Sequence, residues 1–379
     1  MKILHICNDY CYSKVHSELY SELDKLGVEQ VVYAYPIDRS RADNNRFNGK
    51  HTVFISADVL RPYHRYFFHK KIRDIVKDVC QRVDMTRIDC IYATTLFSDG
   101  GVAYALHKKY GMPFVVAVRN TDINTFLNVA PHTWDVGMKV LLNSEKIIFI
   151  SKAIMKSFYE HPFIKILLKR IEHKFVLQPN GIDDYWINHV KHGQKPNNHN
   201  LIYVGRFDTN KNVKRLLKAV LTLRENFPDI QMHLVGGGDA CHEEVMKVVN
   251  ANTDIFHYHG KIFEKERLCE MYQKCSVFAM TSHYETFGLV YLEALSQNLA
   301  VVYTRHQGID GLLDARVGES VNSFSQKSIA NAIERIFNNR ENYLSYEVID
   351  FSSFKWQGIA KTYYGIFTDV ICSKNSKNQ

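Results

Sequence analysis

Short apolar runs alternate with helix-period stretches along nearly the whole chain. In the first half the runs are Lys2–Cys7, Gln30–Tyr35, Thr52–Ile55, Ile88–Ala93, Pro113–Val118, Lys146–Ile150 and Lys174–Gln178. Helical periodicity fills several gaps between them. Val15–Leu26 stops at Gly27 and Gly100–Tyr110 stops at Gly111, where glycine supplies the usual C-terminal cap. Strands that read as continuous apolar runs, separated by amphipathic helices, predict a parallel sheet covered on both faces.

The pattern breaks at Lys191–Asn200, which has no periodicity and much turn chemistry, so an interdomain linker is expected there. A second series follows: Leu201–Gly205, Gln231–Val235, Asp254–His259, Val277–Met280 and Ala300–Thr304. The last helical stretch, Trp356 to Ile371, has no strand after it. With 379 residues the chain exceeds one ordinary core, and two doubly wound α/β domains are expected, with ligands at the carboxyl ends of the strands.

Composition narrows the class. The first apolar run is too short for a signal peptide, and no run of about 18 apolar residues is present to span a bilayer. Eight cysteines without a C-x-x-C pair, mostly in apolar runs, favour reduced buried thiols and a cytoplasmic protein over disulfides or zinc. The net charge of +8 is uneven. Arg61–Arg73 and Phe163–Arg170 mix cations with apolar side chains, as solvated helix faces do, or as faces that rest on anionic lipid do. No nucleic-acid-binding module accompanies that charge, so nucleic acid is not expected as a partner.

Three segments of the second half carry candidate chemistry. Val277–Met280 runs into a polar turn ending at Glu285, and Gly288 opens a helix carrying Leu289 and Glu293. One carboxylate therefore lies beside a helix N-terminus whose free amides suit phosphate, with a second about 7–8 Å along the helix axis. The strand Leu201–Gly205 is followed by Arg206 and Lys211, a guanidinium fork and a compact ammonium that suit a diphosphate. Gly236, Gly237 and Gly238 close the next strand, where bare backbone lets a ligand approach. This is not the G-x-G-x-x-G dinucleotide signature, which weighs against a nicotinamide or flavin enzyme.

Taken in order, Gly205-Arg206…Lys211-Asn212, Gly236-Gly-Gly-Asp239 and Glu285-x-Phe287-Gly288-x-x-x-x-Glu293-Ala294 resemble family 4 of the retaining GT-B glycosyltransferases. Pro179-Asn-Gly-Ile-Asp183 and Phe354-Lys-Trp356 are similar to further segments of that family, so the resemblance spans the chain and is strongest over 174–310. It implies two Rossmann-like domains facing each other across a cleft. Residues 1–190 would bind acceptor, 200–355 would bind a nucleotide-sugar donor, and 356–379 would form a helix returning to the first domain. It further implies that Arg206 and Lys211 hold the donor diphosphate and that Glu285 meets sugar hydroxyls. Phe287, Gly288 and Leu289 would offer amides, Glu293 would accept from the ribose, and Lys261–Ile262 would meet the base. Gly205, Gly236 and Gly237 would line the donor site. No acidic metal cluster is evident in the second half, so no metal and no cofactor are expected.

The first half departs from the family pattern. The loop after the first strand reads Asn8-Asp-Tyr-Cys-Tyr-Ser-Lys14, without glycine, leaving Ser13 and Lys14 as acceptor contacts. In place of a histidine motif after Val118 stands Arg119-Asn120-Thr121-Asp122, similar to surface-polysaccharide members. Arg119 and Asn120 are assigned to the acceptor, and Asp122 joins Arg206, Lys211 and Glu285 among the expected catalytic residues. The resulting expectation is a bacterial hexosyltransferase acting with retention. It would take UDP- or GDP-sugar, use a glycan or lipid-linked glycan acceptor, and sit in the cytoplasm, peripherally on an anionic inner membrane face. A nucleotide-sugar-binding protein without turnover and a nucleotide-sugar epimerase are the rival readings.

Overall fold

The computed structural model describes residues 1–193, 196–313, 315–343 and 349–377. It divides into two compact units, one made of residues 1–150, 154–181 and the segment from Trp356 onward, the other of Ser151–Ala153 and Ile182–Lys355. Each is an all-parallel sheet clothed in helices.

In the first unit the strands are β1 (Lys2–Ile6), β2 (Glu29–Ala34), β3 (Thr52–Ser56), β4 (Cys90–Ala93), β5 (Phe114–Val118), β6 (Lys146–Phe149) and β7 (Phe175–Leu177). They lie in the order β3-β2-β1-β4-β5-β6-β7. The central strands are buried on both faces. Every residue of β5 has no exposed surface, which is why β5 reads as an unbroken apolar run. Chain order reverses between β1 and β4, so the loops after these two strands diverge and leave a crevice at their carboxyl ends.

The helix Trp356–Lys377 belongs to this unit. Trp356, Ile359, Ala360, Tyr363, Phe367 and Val370 fall at helical spacing and enter one core with Ile3, Tyr20, Leu23 and Tyr92. Helix Pro162–Ile171 buries Ile164, Leu167 and Ile171 and leaves Ile166 exposed.

The second unit contains β8 (Asn200–Gly205), β9 (Gln231–Gly236), β10 (Phe256–Tyr258), β11 (Val277–Ala279), β12 (Ala300–Thr304) and β13 (Gly318–Val321), ordered β10-β9-β8-β11-β12-β13. Its switch point lies between β8 and β11. The edge strand β13 is not visible in the apolar pattern, because Gly-Glu-Ser-Val is short and half polar. It pairs so closely with β12 that a Cβ on Gly318 would stand 2.0 Å from the Val301 carbonyl oxygen.

The chain enters the second unit at Ile182, ahead of the Lys191–Asn200 stretch. The Ile182 amide donates to the Phe354 carbonyl at 3.0 Å, and Trp186 is buried against Tyr272 with ring centres 5.6 Å apart. A backbone hydrogen bond and a buried tryptophan thus fix the entry before the polar stretch begins.

Candidate active site

In the second unit the site starts from two glycines. Gly205 and Gly236 lie opposite each other at the ends of β8 and β9. A Cβ on Gly236, whose φ is +120°, would stand 2.0 Å from the Gly205 carbonyl oxygen. Only glycine permits that approach. It draws the loop after β8 against the turn Gly237–Asp239. There Arg206 is mostly exposed, with Nη2 3.2 Å from Asp208 Oδ2 and Nε 3.7 Å from Asp239 Oδ2. The other Asp208 oxygen accepts from the Lys211 amide at 2.8 Å, closing the loop. Asn212 takes a left-handed conformation, and its buried side-chain amide donates to the carbonyls of Thr281 and Ser323. This pins the Arg206–Lys211 loop to the end of β11, across the switch point.

That pinning brings Lys211 to Glu285, 74 positions away in the chain. Lys211 Nζ lies 2.7 Å from Glu285 Oε2, with only 18% and 13% of the two side chains exposed. The other Glu285 oxygen accepts from the Thr286 amide at 3.1 Å, and its backbone is held by Gln307 and Gly308. Gly288, at φ +78°, turns the chain into the helix Leu289–Ser296, whose N-terminus carries no side-chain cap. An ammonium, a carboxylate and a helix tip suited to an anion are therefore neighbours. Phe287 is buried and anchors the turn.

Around the glycine turn, the Gly236 amide donates to the Gly260 carbonyl at 2.7 Å, tethering the Lys261–Ile262 segment beside it. A Cβ on Gly238 would lie 3.7 Å from Lys261 Nζ. One helical surface further on, Glu293 accepts from Tyr272 Oη at 3.5 Å. Burial lifts its carboxyl to about 7, and the negative charge of Asp183 adds to the rise. Asp183 is ion-paired with Lys265 and caps the short helix Asp184–Asn188. Lys265 and Tyr272 carry no motif, and Asp183 stands out only as part of the Pro179–Asp183 turn. A pairing that spans 82 positions leaves no local signal.

The residues assigned in the first unit are arranged differently. Tyr10 and Cys11 fill the glycine-free loop after β1, with Tyr10 Oη donating to the Asn45 carbonyl at 2.7 Å. Ser13 is extended, does not cap the helix Lys14–Lys25, and Lys14 is exposed. Arg119 Nε donates to the Thr94 carbonyl at 3.1 Å, and Asn120 accepts from Asn124. Asp122, expected among the reacting groups, is fully enclosed, and its oxygens accept from the amides of Leu96, Phe97 and Arg119. Burial raises this carboxyl to about 7. With its oxygens committed to backbone, Asp122 is a clamp on two strand-end loops, and the geometry removes it from the set that can touch a substrate.

Residues 184–347 match the family model of glycosyl transferases group 1. Mannosylfructose-phosphate synthase of Agrobacterium fabrum is 26% identical over 118 residues, covering 29% of this chain and 26% of that protein. D-inositol 3-phosphate glycosyltransferase of Corynebacterium urealyticum is 27% identical over 172 residues, covering 42% and 40%. The chain thus aligns with about a quarter to two fifths of the length of these relatives. Among solved structures, sucrose-phosphate synthase of Thermosynechococcus elongatus superposes with a TM-score of 0.72 at 18% identity, over 98% of this chain and 99% of that one. Anabaena HepE, solved in complex with UDP and glucose, gives 0.63 at 17% identity over the full length of both. The chain has the GT-B fold, and within it the match to glycosyl transferases group 1 covers residues 184–347.

Proposed function

We propose that the protein is a retaining glycosyltransferase that moves a hexose-type sugar from a UDP- or GDP-sugar to a glycan or lipid-linked glycan, without a metal ion. The observation that carries this reading is the Lys211–Glu285 pair beside the uncapped helix tip at Gly288. Cleaving a sugar–diphosphate bond moves negative charge onto the departing phosphate. Lys211, Arg206 and the amides following Gly288 supply fixed positive potential for that charge without having to move. Glu285, already bonded to Lys211, accepts from sugar hydroxyls, while Glu293 accepts from the ribose.

In the step itself the acceptor oxygen bonds to the anomeric carbon as the carbon–phosphate oxygen bond breaks. The acceptor proton passes to a phosphate oxygen on the same face, which accounts for retention. Anabaena HepE was solved with UDP-glucose, and the Corynebacterium relative is a glycosyltransferase by name, which supports a nucleotide-sugar donor here. The likeness of the Arg119–Asp122 motif to surface-polysaccharide members and the basic, aromatic Arg61–Arg73 segment support a role in surface-polysaccharide assembly at the inner face of the plasma membrane. Among the described residues no helix is long and apolar enough to cross a membrane.

Purified protein incubated with UDP-glucose and with GDP-mannose tests the reading. Release of nucleotide diphosphate with one of them, abolished in Lys211→Ala and Glu285→Ala, is expected. Release that is equal in both variants and the parent would sink the assignment.

A further inference from the structure

The first unit contains a hollow that the donor chemistry does not use. Ile37, Leu60, Pro62, Arg65, Tyr66 and Lys71 line it, around a volume of about 710 Å³. Ile37 follows β2 and Leu60–Tyr66 follow β3, so the walls come from the carboxyl ends of the strands, the side on which such sheets take ligands. The rim is apolar and open: Ile37 is 85% exposed, Tyr66 75% and the adjoining Phe67 60%. Large apolar side chains left in water around a concavity mark a binding surface.

The cations around this hollow fall into two groups. Arg61 is bonded to Asp58 at 3.1 Å, and Lys70 to Asp74 at 3.1 Å. His64 is buried, with Nε2 3.0 Å from Asp74 and Nδ1 accepting from the Arg61 amide, so the loop has a fixed shape. Arg65 and Lys71, by contrast, have no carboxylate partner among the described residues. The Lys71 ammonium is half buried and donates to Ser98 Oγ at 3.0 Å, at the start of the helix that follows β4. Burial lowers its pKa, while the charge of Asp99 opposes the fall. Asp99 does not pair with it, because its oxygens accept from Tyr35 and Thr94. A half-buried ammonium that no described carboxylate contacts, beside an exposed guanidinium and under an apolar rim, calls for an anion attached to a hydrocarbon.

We propose that this hollow binds an amphiphile carrying a phosphate, with Lys71 and Arg65 holding the phosphate and the apolar chain lying along Ile37, Leu60 and Tyr66. The proposal deepens the transferase reading by naming the part of a lipid-linked acceptor that the first unit recognises.

Calorimetric titration of the full chain with decyl phosphate, decanol and inorganic phosphate tests it, keeping decyl phosphate below its micelle concentration. Decyl phosphate is expected to bind at least ~10-fold more tightly than either of the others, the equivalent of one charge-assisted contact. Lys71→Met and Arg65→Gln should each weaken it ~10-fold. Ile37→Ser should weaken it ~5-fold by removing buried apolar area. Arg65 is exposed, so Arg65→Gln remains informative even if Lys71→Met fails to fold. Inorganic phosphate binding as tightly as decyl phosphate, or an affinity unmoved by Arg65→Gln and Ile37→Ser, overturns the proposal. UDP-glucose affinity in the same variants separates the two readings. Decyl phosphate binding with these dependences in a protein that ignores nucleotide-sugars would sustain the site and remove the transferase assignment.

Discussion

At the scale of single residues, the Lys211–Glu285 pair and Glu293 carry the proposed chemistry. Lys211→Met leaves a largely buried carboxylate without its ammonium, so urea unfolding should show a loss of about 1–3 kcal/mol. Adding Glu285→Gln to that variant should restore part of the loss, since a neutral amide is cheaper to bury than an unpaired charge. Glu293 makes a pH prediction of definite sign. Its carboxyl is raised from 4.5 to about 7 by burial and by Asp183, so between those values the folded protein holds a proton that the unfolded chain has released. This group's contribution to stability is therefore full at the acid end, falls as pH rises through that window, and levels off above it. Glu293→Gln should flatten that part of the stability profile in denaturant titrations at stepped pH. Ribose hydroxyls donate more strongly to an ionised carboxylate than to a protonated one, so nucleotide-sugar affinity should rise from about pH 6 to about pH 8 in the parent and stay level in Glu293→Gln. A parent affinity independent of pH would contradict the ribose role.

At the scale of elements, the approach of β8 to β9 positions the Arg206–Lys211 loop, and Gly236 makes it possible. Gly236→Ala would force a methyl against the Gly205 carbonyl at a positive φ, and a loss of at least about 2 kcal/mol in thermal or chemical unfolding is expected. In the first unit, fully buried Phe367 on the helix Trp356–Lys377 locks that helix to the β1 side of the sheet. Phe367→Ala should cost about 3–5 kcal/mol. Most strands are legible in the sequence because parallel strands buried on both faces, such as Phe114–Val118 and Ala300–Thr304, must be apolar throughout. β13 escapes because it is an edge strand with polar Glu319 and Ser320, and its pairing rests on the bare backbone of Gly318 rather than on side-chain pattern. The positions of Arg206, Lys211, Glu285 and Glu293 at strand ends and on a helix are also readable. Their partners are less so. That Arg206 faces Asp239, and that Asp183 meets Lys265 next to Glu293, depends on contacts between distant turns.

At the scale of the whole molecule, each sheet reverses its strand order once, and each reversal gathers polar side chains at the carboxyl ends of its strands. In the second unit these form the set proposed to hold the donor. In the first they are mostly turned inward, with Asp99 and Asp122 enclosed, and Arg65 and Lys71 at the rim of the apolar hollow have no carboxylate partner among the described residues. The central claim is that the second unit binds a nucleotide-sugar through Lys211, Glu285 and the Gly288 helix tip. Calorimetric titration of the parent, Lys211→Ala and Glu285→Ala with UDP-glucose and GDP-mannose tests it most directly. Saturable binding of one donor by the parent, weakened at least ~10-fold in both variants, is the predicted result. Flat titrations with the parent, or equal affinity in all three proteins, would contradict it.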